Sequence, residues 1–303
     1  MDGDQSTARS EGTSADLVAD ALALGLKASP RMVTDWVEAG LLANPEPRKT
    51  SAHGSDPRVF PPEQRELFTR LLQARERSPL GRVPFHTMIR IVLYLWVIDD
   101  TVVLTPQARR AWRTHARAAG RTTAAKRSKN ARDVVDQLAH SEASFKQRRT
   151  AQLVIEEGEK TGRIDMAKLT SALTELCSPR PSQPGIPRIE RALPGPFGPI
   201  TVQHHIAMWH ARSKTISQLR HEEIDESRLD QVRAVHRTDR ADYKARRQAA
   251  ADGQFAAYFA EPTTLEGRAI EEVDAFVGTL AGELGLIEAA SYKAETARVR
   301  QSR

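Results

Sequence analysis

Ser29-Pro30-Arg31-Met32-Val33-Thr34-Asp35-Trp36-Val37-Glu38-Ala39-Gly40-Leu41-Leu42, followed by a Pro- and Gly-punctuated loop that closes on Gly54-Ser55-Asp56-Pro57-Arg58-Val59-Phe60, decides the reading of this chain. Ser29 is a natural N-cap, because its hydroxyl can accept a free backbone N–H, and Pro30 suits the first helical position. Gly40 then ends the helix in a left-handed cap. Upstream, Leu17, Val18, Ala21, Leu22 and Leu24 give a shorter helix an apolar stripe, with a tight turn around Gly25. A short helix, a turn and a second capped helix make a helix-turn-helix candidate, whose second helix is shaped for a DNA major groove. The loop after it carries Arg48, Lys49, His53 and Arg58 and has the composition of a two-stranded wing. Leu67, Leu71 and Leu72 on the next helix would close a small core.

Residues 14–77 resemble the winged helix-turn-helix of the mercury-resistance regulator (MerR) family. The resemblance rests on Ser29 and Arg31, on Trp36 at the second aromatic position, on Gly40-Leu41-Leu42 and on Arg58-Val59-Phe60 in the wing. Pro61-Pro62-Glu63-Gln64 starts the following helix where the family starts its own. Thr34 and Asp35 depart from the family's arginine and tyrosine, which alters two phosphate-facing positions. The turn between the first two helices is also a residue or two longer. The resemblance implies a transcriptional regulator acting as a homodimer on a pseudo-palindromic double-stranded DNA site, with an effector sensed further along the chain. The family's long dimerising helix and its effector site are not visible here. A small helical domain that ends a helix in Gly-Leu-Leu is the plainer alternative, since glycine caps helices and leucines pack.

The composition is compatible with that function class without establishing it. Lys and Arg number 45 against 39 Asp and Glu in 303 residues, a net charge of +6 and a pI near 9.6. Where the charge lies is the better test. From Thr101 to Arg132 no acid occurs, whereas Arg109, Arg110, Arg113, Arg117, Arg121, Lys126, Arg127, Lys129 and Arg132 do. Arg110, Arg113, Arg117 and Arg121 fall on one face of a helix opened by Thr105-Pro106, with Trp112, His115, Ala116 and Ala119 largely on the other. That face reads either as a phosphate-tracking arm, each contact releasing counterions, or as a solvated surface.

The expected fold class is mainly α, with the winged helix-turn-helix followed by helical regions. Residues 1–13 read as a disordered tail and 14–77 as the DNA-binding domain. Residues 85–177 read as a helical region that includes the basic segment 105–132. Within it Phe85 to Asp100 is a buried helix whose last third is β-branched enough for a strand, and Gly158 and Gly162 interrupt the later helices. Residues 178–200 form a linker, with seven prolines and three glycines between Ser178 and Pro199. Residues 201–303 are helical. There Ile270, Val273, Val277, Leu280, Leu284 and Ile287 make a short heptad seam suited to self-association. Gly278, Gly282 and Gly285 suit instead a close helix approach inside the subunit.

Candidate chemistry is sparse. His204, His205 and His210 lack the i, i+4 spacing of a helical metal pair, Asp99-Asp100 diverge, and Cys177 has no partner cysteine. No nucleotide loop, nucleophile elbow or dinucleotide fingerprint occurs. An enzyme is not expected, nor a cofactor or metal. The longest apolar run, Ile89 to Ile98, falls short of the ~20 residues that span a bilayer, and no signal peptide is legible, so a cytoplasmic protein is expected.

The residues expected at DNA are therefore few. Ser29 caps the recognition helix, Arg31 and Thr34 stand nearest the base edges, and Trp36 and Arg58 pack the wing or touch phosphate. Arg48 and Lys49 reach the backbone or minor groove, and Arg110, Arg113, Arg117 and Arg121 track phosphates. A plasmid or phage architectural protein of the excisionase, partition or replication-accessory kind fits the same features. So does a helical scaffold that binds protein.

Overall fold

The computed structural model describes residues 10–48, 57–76, 83–99, 101–119, 123–161, 165–177, 193–195, 198–200, 202–249 and 261–287. Among them the chain is mainly α. The helices are α1 (Ser14–Ala23), α2 (Pro30–Ala39), α3 (Pro62–Glu76), α4 (Phe85–Ile98), α5 (Thr105–Ala119), α6 (Ala124–Leu138), α7 (Phe145–Thr161), α8 (Met166–Cys177), α9 (Val202–Arg220), α10 (Glu226–Ala249) and α11 (Leu265–Glu283). Two antiparallel hairpins accompany them, β1 (Glu46–Pro47) with β2 (Arg58–Val59), and β3 (Leu193–Gly195) with β4 (Gly198–Ile200). The chain divides into two compact units. The first comprises Met1–Ala116, Leu219–Arg237 and Pro262–Ala275, and the second Arg117–Gln218, Thr238–Glu261 and Phe276–Arg303.

In the first unit the caps do what their residue types require. Thr13 opens α1 in a capping box, its hydroxyl accepting from the Asp16 N–H while the Asp16 carboxylate accepts from the Thr13 N–H at 2.7 Å. That backbone donor, helped by the Thr13 hydroxyl, holds the Asp16 carboxyl below its usual range. Gly25 (φ +74°) turns the chain, and Leu26 bonds back to the Ala21 carbonyl. The Ser29 hydroxyl accepts from the Met32 N–H, and Gly40 ends α2 at φ +86°. The N–H groups of Leu41 and Leu42 then return to the Trp36 carbonyl. Leu17 and Ala21 turn inward, as do Val33, Trp36, Leu41 and Leu42. Leu67, Phe68, Leu71 and Leu72 of α3 meet them, with the Trp36 and Phe68 rings edge to face at 5.1 Å. Leu22 and Leu24, assigned to the inward stripe by spacing, stay about half exposed because the turn at Gly25 brings Leu26 inward instead.

The N-terminal tail does not stay irregular up to Thr13. Gly12 and Phe60 exchange both backbone hydrogen bonds, at 3.0 and 2.7 Å. Arg65 donates to the Ser10 carbonyl and, through Nε and Nη2, to the Asp20 carboxylate. Residues 1–9 lie outside the described residues.

This unit also extends well beyond residue 77. The Gln64 side chain, almost fully buried, accepts from the Ala43 N–H and donates to the Val102 carbonyl and to Gln107 Oε1. Gln107 in turn donates to the Leu41 carbonyl. Two buried amides thus tie the end of α2, α3 and the start of α5 together, with every polar atom named here satisfied inside the fold. Phe85–Ile98 is helix throughout. Burial on most sides by tertiary neighbours outweighs the strand preference of its β-branched last third.

In the second unit α6, α7 and α8 pack around Val135, Leu138, Ile155, Leu169, Leu173 and Leu176, with Ile206 of α9 added. Gly158 does not interrupt α7. It lies on the buried face with Ala151 and Ile155, where small side chains allow close packing; Gly162 lies outside the described residues. The segment expected to be an irregular linker contains the β3–β4 hairpin, in which Leu193 pairs with Ile200. Proline forbids helix there but tolerates a two-stranded edge. On α11 the central seam residues Val273, Val277 and Leu280 are buried within their own chain, while Ile270 stays partly exposed. Among the described residues, a Cβ placed on Gly278 or Gly282 meets nothing within 4 Å.

Candidate nucleic-acid interface

The outer face of α2 follows from its own periodicity. With Val33 and Trp36 turned into the core, Arg31, Thr34, Asp35 and Glu38 face solvent. The Arg31 side chain is 91% exposed and its Nε stands 4.0 Å from the Asp35 carboxylate, an i, i+4 pair too open to hold it. Thr34 donates back to the Pro30 carbonyl at 3.3 Å, leaving its methyl outward. One cation against two carboxylates makes this face net −1. Such a face is poorly suited to phosphates and better suited to base edges, where carboxylates accept from the cytosine amino group and arginine donates to guanine. Glu38 is thus a candidate that sequence reading passed over, and Asp35 one that it noted only as a departure from the family. The signal was present, because they share the i, i+3, i+4 face of Arg31.

Cations flank this face rather than occupy it. Lys27 precedes the Ser29 cap and is exposed. The hairpin carries exposed Arg48 and Arg58, Arg48 at 4.0 Å from Glu11. Lys49 and Arg121 lie outside the described residues. Trp36 cannot reach phosphate, since it is 2% exposed and meets Phe68 edge to face; its size is used in the core.

The arginines of α5 require a second correction. Arg110 donates through Nε to the Val37 carbonyl at 3.0 Å, through Nη2 to the Leu42 carbonyl at 3.0 Å and through Nη1 to Pro106. Arg113 reaches the Glu38 carbonyl and pairs with the Glu222 carboxylate. Thr114 donates to the Ala39 carbonyl at 2.9 Å. Three consecutive carbonyls at the end of α2, together with that of Leu42, are therefore capped by one turn of α5. A helix C-terminus exposes unpaired carbonyls and a partial negative charge, which arginine satisfies as it would a phosphate. The approach is close: a Cβ on Gly40 would fall 2.2 Å from the Ala111 nitrogen. Desolvation in this contact, with the Arg113 charge beside it, lowers the Arg110 pKa. Arg110 and Arg113 are thus engaged inside the fold and not free to track phosphates.

The device recurs in the same unit. Arg220 donates twice to the Ala116 carbonyl near the end of α5. Arg233 and Arg237 of α10 donate to the Trp96 and Val97 carbonyls at the end of α4, Arg233 also lying over the Trp96 ring at 4.9 Å. Behind Arg110, His115 is buried beside Trp112. Burial, followed by the Arg90 and His86 charges, pushes its pKa down to about 4. In the second unit, by contrast, Arg117 and the α6 cations Lys126, Lys129 and Arg132 are exposed.

Among the described residues no group of three His, Cys, Asp or Glu side chains could hold a metal ion, and no helix is long and apolar enough to cross a membrane. Cys177 is buried and its thiol lies 3.4 Å from the Leu138 carbonyl. Compared with protein-family models, curated proteins and solved structures, the chain matches none.

Proposed function

We propose that this protein binds double-stranded DNA sequence-specifically through a winged helix-turn-helix of the MerR-like type and acts as a transcriptional regulator. The observation that carries the reading is the outer face of α2. Arg31, Thr34, Asp35 and Glu38 stand free while both ends of the helix are capped and its back is fixed by Trp36 and by α5. A rigid helix with an open polar face is suited to reading base edges. Arg48 and Arg58 on the hairpin supply flanking phosphate contacts, and Lys27 supplies another on the turn. A pseudo-palindromic site calls for two copies, so a homodimer belongs to the proposal. Because the middle of the α11 seam is covered by its own chain, the interface is expected elsewhere.

Selection from a random duplex pool at low salt tests the reading. Enrichment of an inverted repeat supports it, whereas phased tracts without a consensus would shift it to an architectural protein. No retained duplex would leave a protein-binding scaffold. On the selected site, Arg31→Ala is expected to cost about 1–3 kcal/mol of preference over scrambled DNA. Equal losses on both duplexes would assign Arg31 to phosphate.

A further inference from the structure

Between the first turn of α2 and the start of α4 lies a half-open groove of about 480 Å³. Its floor is Trp36, Val83 and Met88, all nearly fully buried. Met32 forms one wall. Phe85 forms the other and is 43% exposed at the head of α4, whose middle is largely buried. Arg75 enters from the end of α3, its Nη1 4.0 Å from the Met32 sulfur, and among the described residues no carboxylate pairs with it. On the rim Arg31 and Asp35 offset each other. The charge left over is that of Arg75, and the positive end of α2 opens onto the same groove.

This volume lies within the range of small-molecule sites, which are mostly apolar with a few placed polar groups. Two methionines give a lining that adapts to a ring system, and one guanidinium without a carboxylate partner among the described residues prefers a single carboxylate or sulfonate. We propose that the groove is a binding site for a small apolar monoanion. Arg75 holds the anionic group while Met32, Phe85 and Met88 pack its ring body. The site does not depend on the DNA-binding reading; the two share Arg31 and Asp35, on the rim of one and the outer face of the other.

The test uses the full chain and two dyes of one shape, anionic 8-anilinonaphthalene-1-sulfonate and neutral N-phenyl-1-naphthylamine. One saturable site for the anion is expected, with quenching of tryptophan emission through Trp36. Arg75→Gln should weaken the anion about tenfold or more and leave the neutral dye within about twofold. Phe85→Ala, at an exposed position that leaves the core intact, should weaken both dyes. Arg70→Gln, on an exposed face of the same helix, should change neither. Far-ultraviolet circular dichroism identifies variants that have unfolded, and if Arg75→Gln is among them Arg75→Lys takes its place, expected to retain the preference for the anion. Absence of saturable anion binding by the folded protein, or wild-type anion affinity in folded Arg75→Gln or in folded Phe85→Ala, would overturn the site. Either result leaves duplex selection untouched, so the two readings fail separately.

Discussion

Arg31 on α2 and Arg110 on α5 belong to the same compact unit and carry the same guanidinium, yet they occupy opposite situations. Arg31 is 91% exposed beside one loose carboxylate, whereas Arg110 donates to three backbone carbonyls, two of them at the end of α2. The contrast teaches that a basic run in a sequence identifies a need for negative partners without identifying them. A helix C-terminus and a phosphodiester offer arginine similar oxygens, and here α2, α4 and α5 each take arginines from another element.

The harshest way to break the contrast is to push α5 off α2. Gly40→Ala adds a methyl where the backbone is left-handed and where Ala111 is already in contact. A loss of roughly 4 kcal/mol is expected, beyond the ordinary range for single substitutions, read as the urea midpoint by tryptophan fluorescence. Near-wild-type stability would mean that α5 does not brace α2.

Acid should destabilise the unit that holds this contact, through His115. Its folded pKa, near 4, lies below the unfolded value near 6.5, so the unfolded chain binds the proton more readily. The sign follows directly: His115 costs nothing above pH 6.5, and stability falls as pH drops from there towards 4, by about 3 kcal/mol in total. Thermal melts of His115→Leu across that window should lose correspondingly less. Parallel curves for the two proteins would remove His115 as the cause.

Arg110→Gln sharpens the comparison itself. Losing charged hydrogen bonds to partly buried carbonyls should cost about 2 kcal/mol, whereas Arg31→Ala should stay within about 0.5 kcal/mol in the same urea measurement. If both were neutral for stability, the capping role would fall. The smallest effect concerns the outward cations of the second unit. Replacing Lys126, Lys129 and Arg132 with Gln should flatten the salt dependence of duplex binding by up to about 0.9 per lost phosphate contact. An unchanged slope would show that this face stays in solvent.

Much of the local structure was legible. Ser29, Pro30 and Gly40 placed α2 and its ends, because caps act over a few residues. Its inward face was not read, since Trp36 was assigned to the wing or to phosphate and instead lies in the core. The engagement of Arg110 and Arg113 was not legible, because their partners lie some 70 and 109 residues distant and most are backbone carbonyls that no residue type advertises. The Gln64–Gln107 link escaped notice for the same reason, since a glutamine looks alike whether it meets water or another buried amide.

By itself, then, the sequence determined that the chain is mainly helical, where α2 starts and stops, and where α3 and α5 begin. Those properties depend on neighbours within about one turn. Tertiary structure alone decided which charges stay in water. That outcome depends on which helix end happens to lie across from a given side chain, and desolvation rewards arginine for finding a carbonyl there. Only the folded chain turns the middle of the α11 seam inward and leaves the outer face of α2 open.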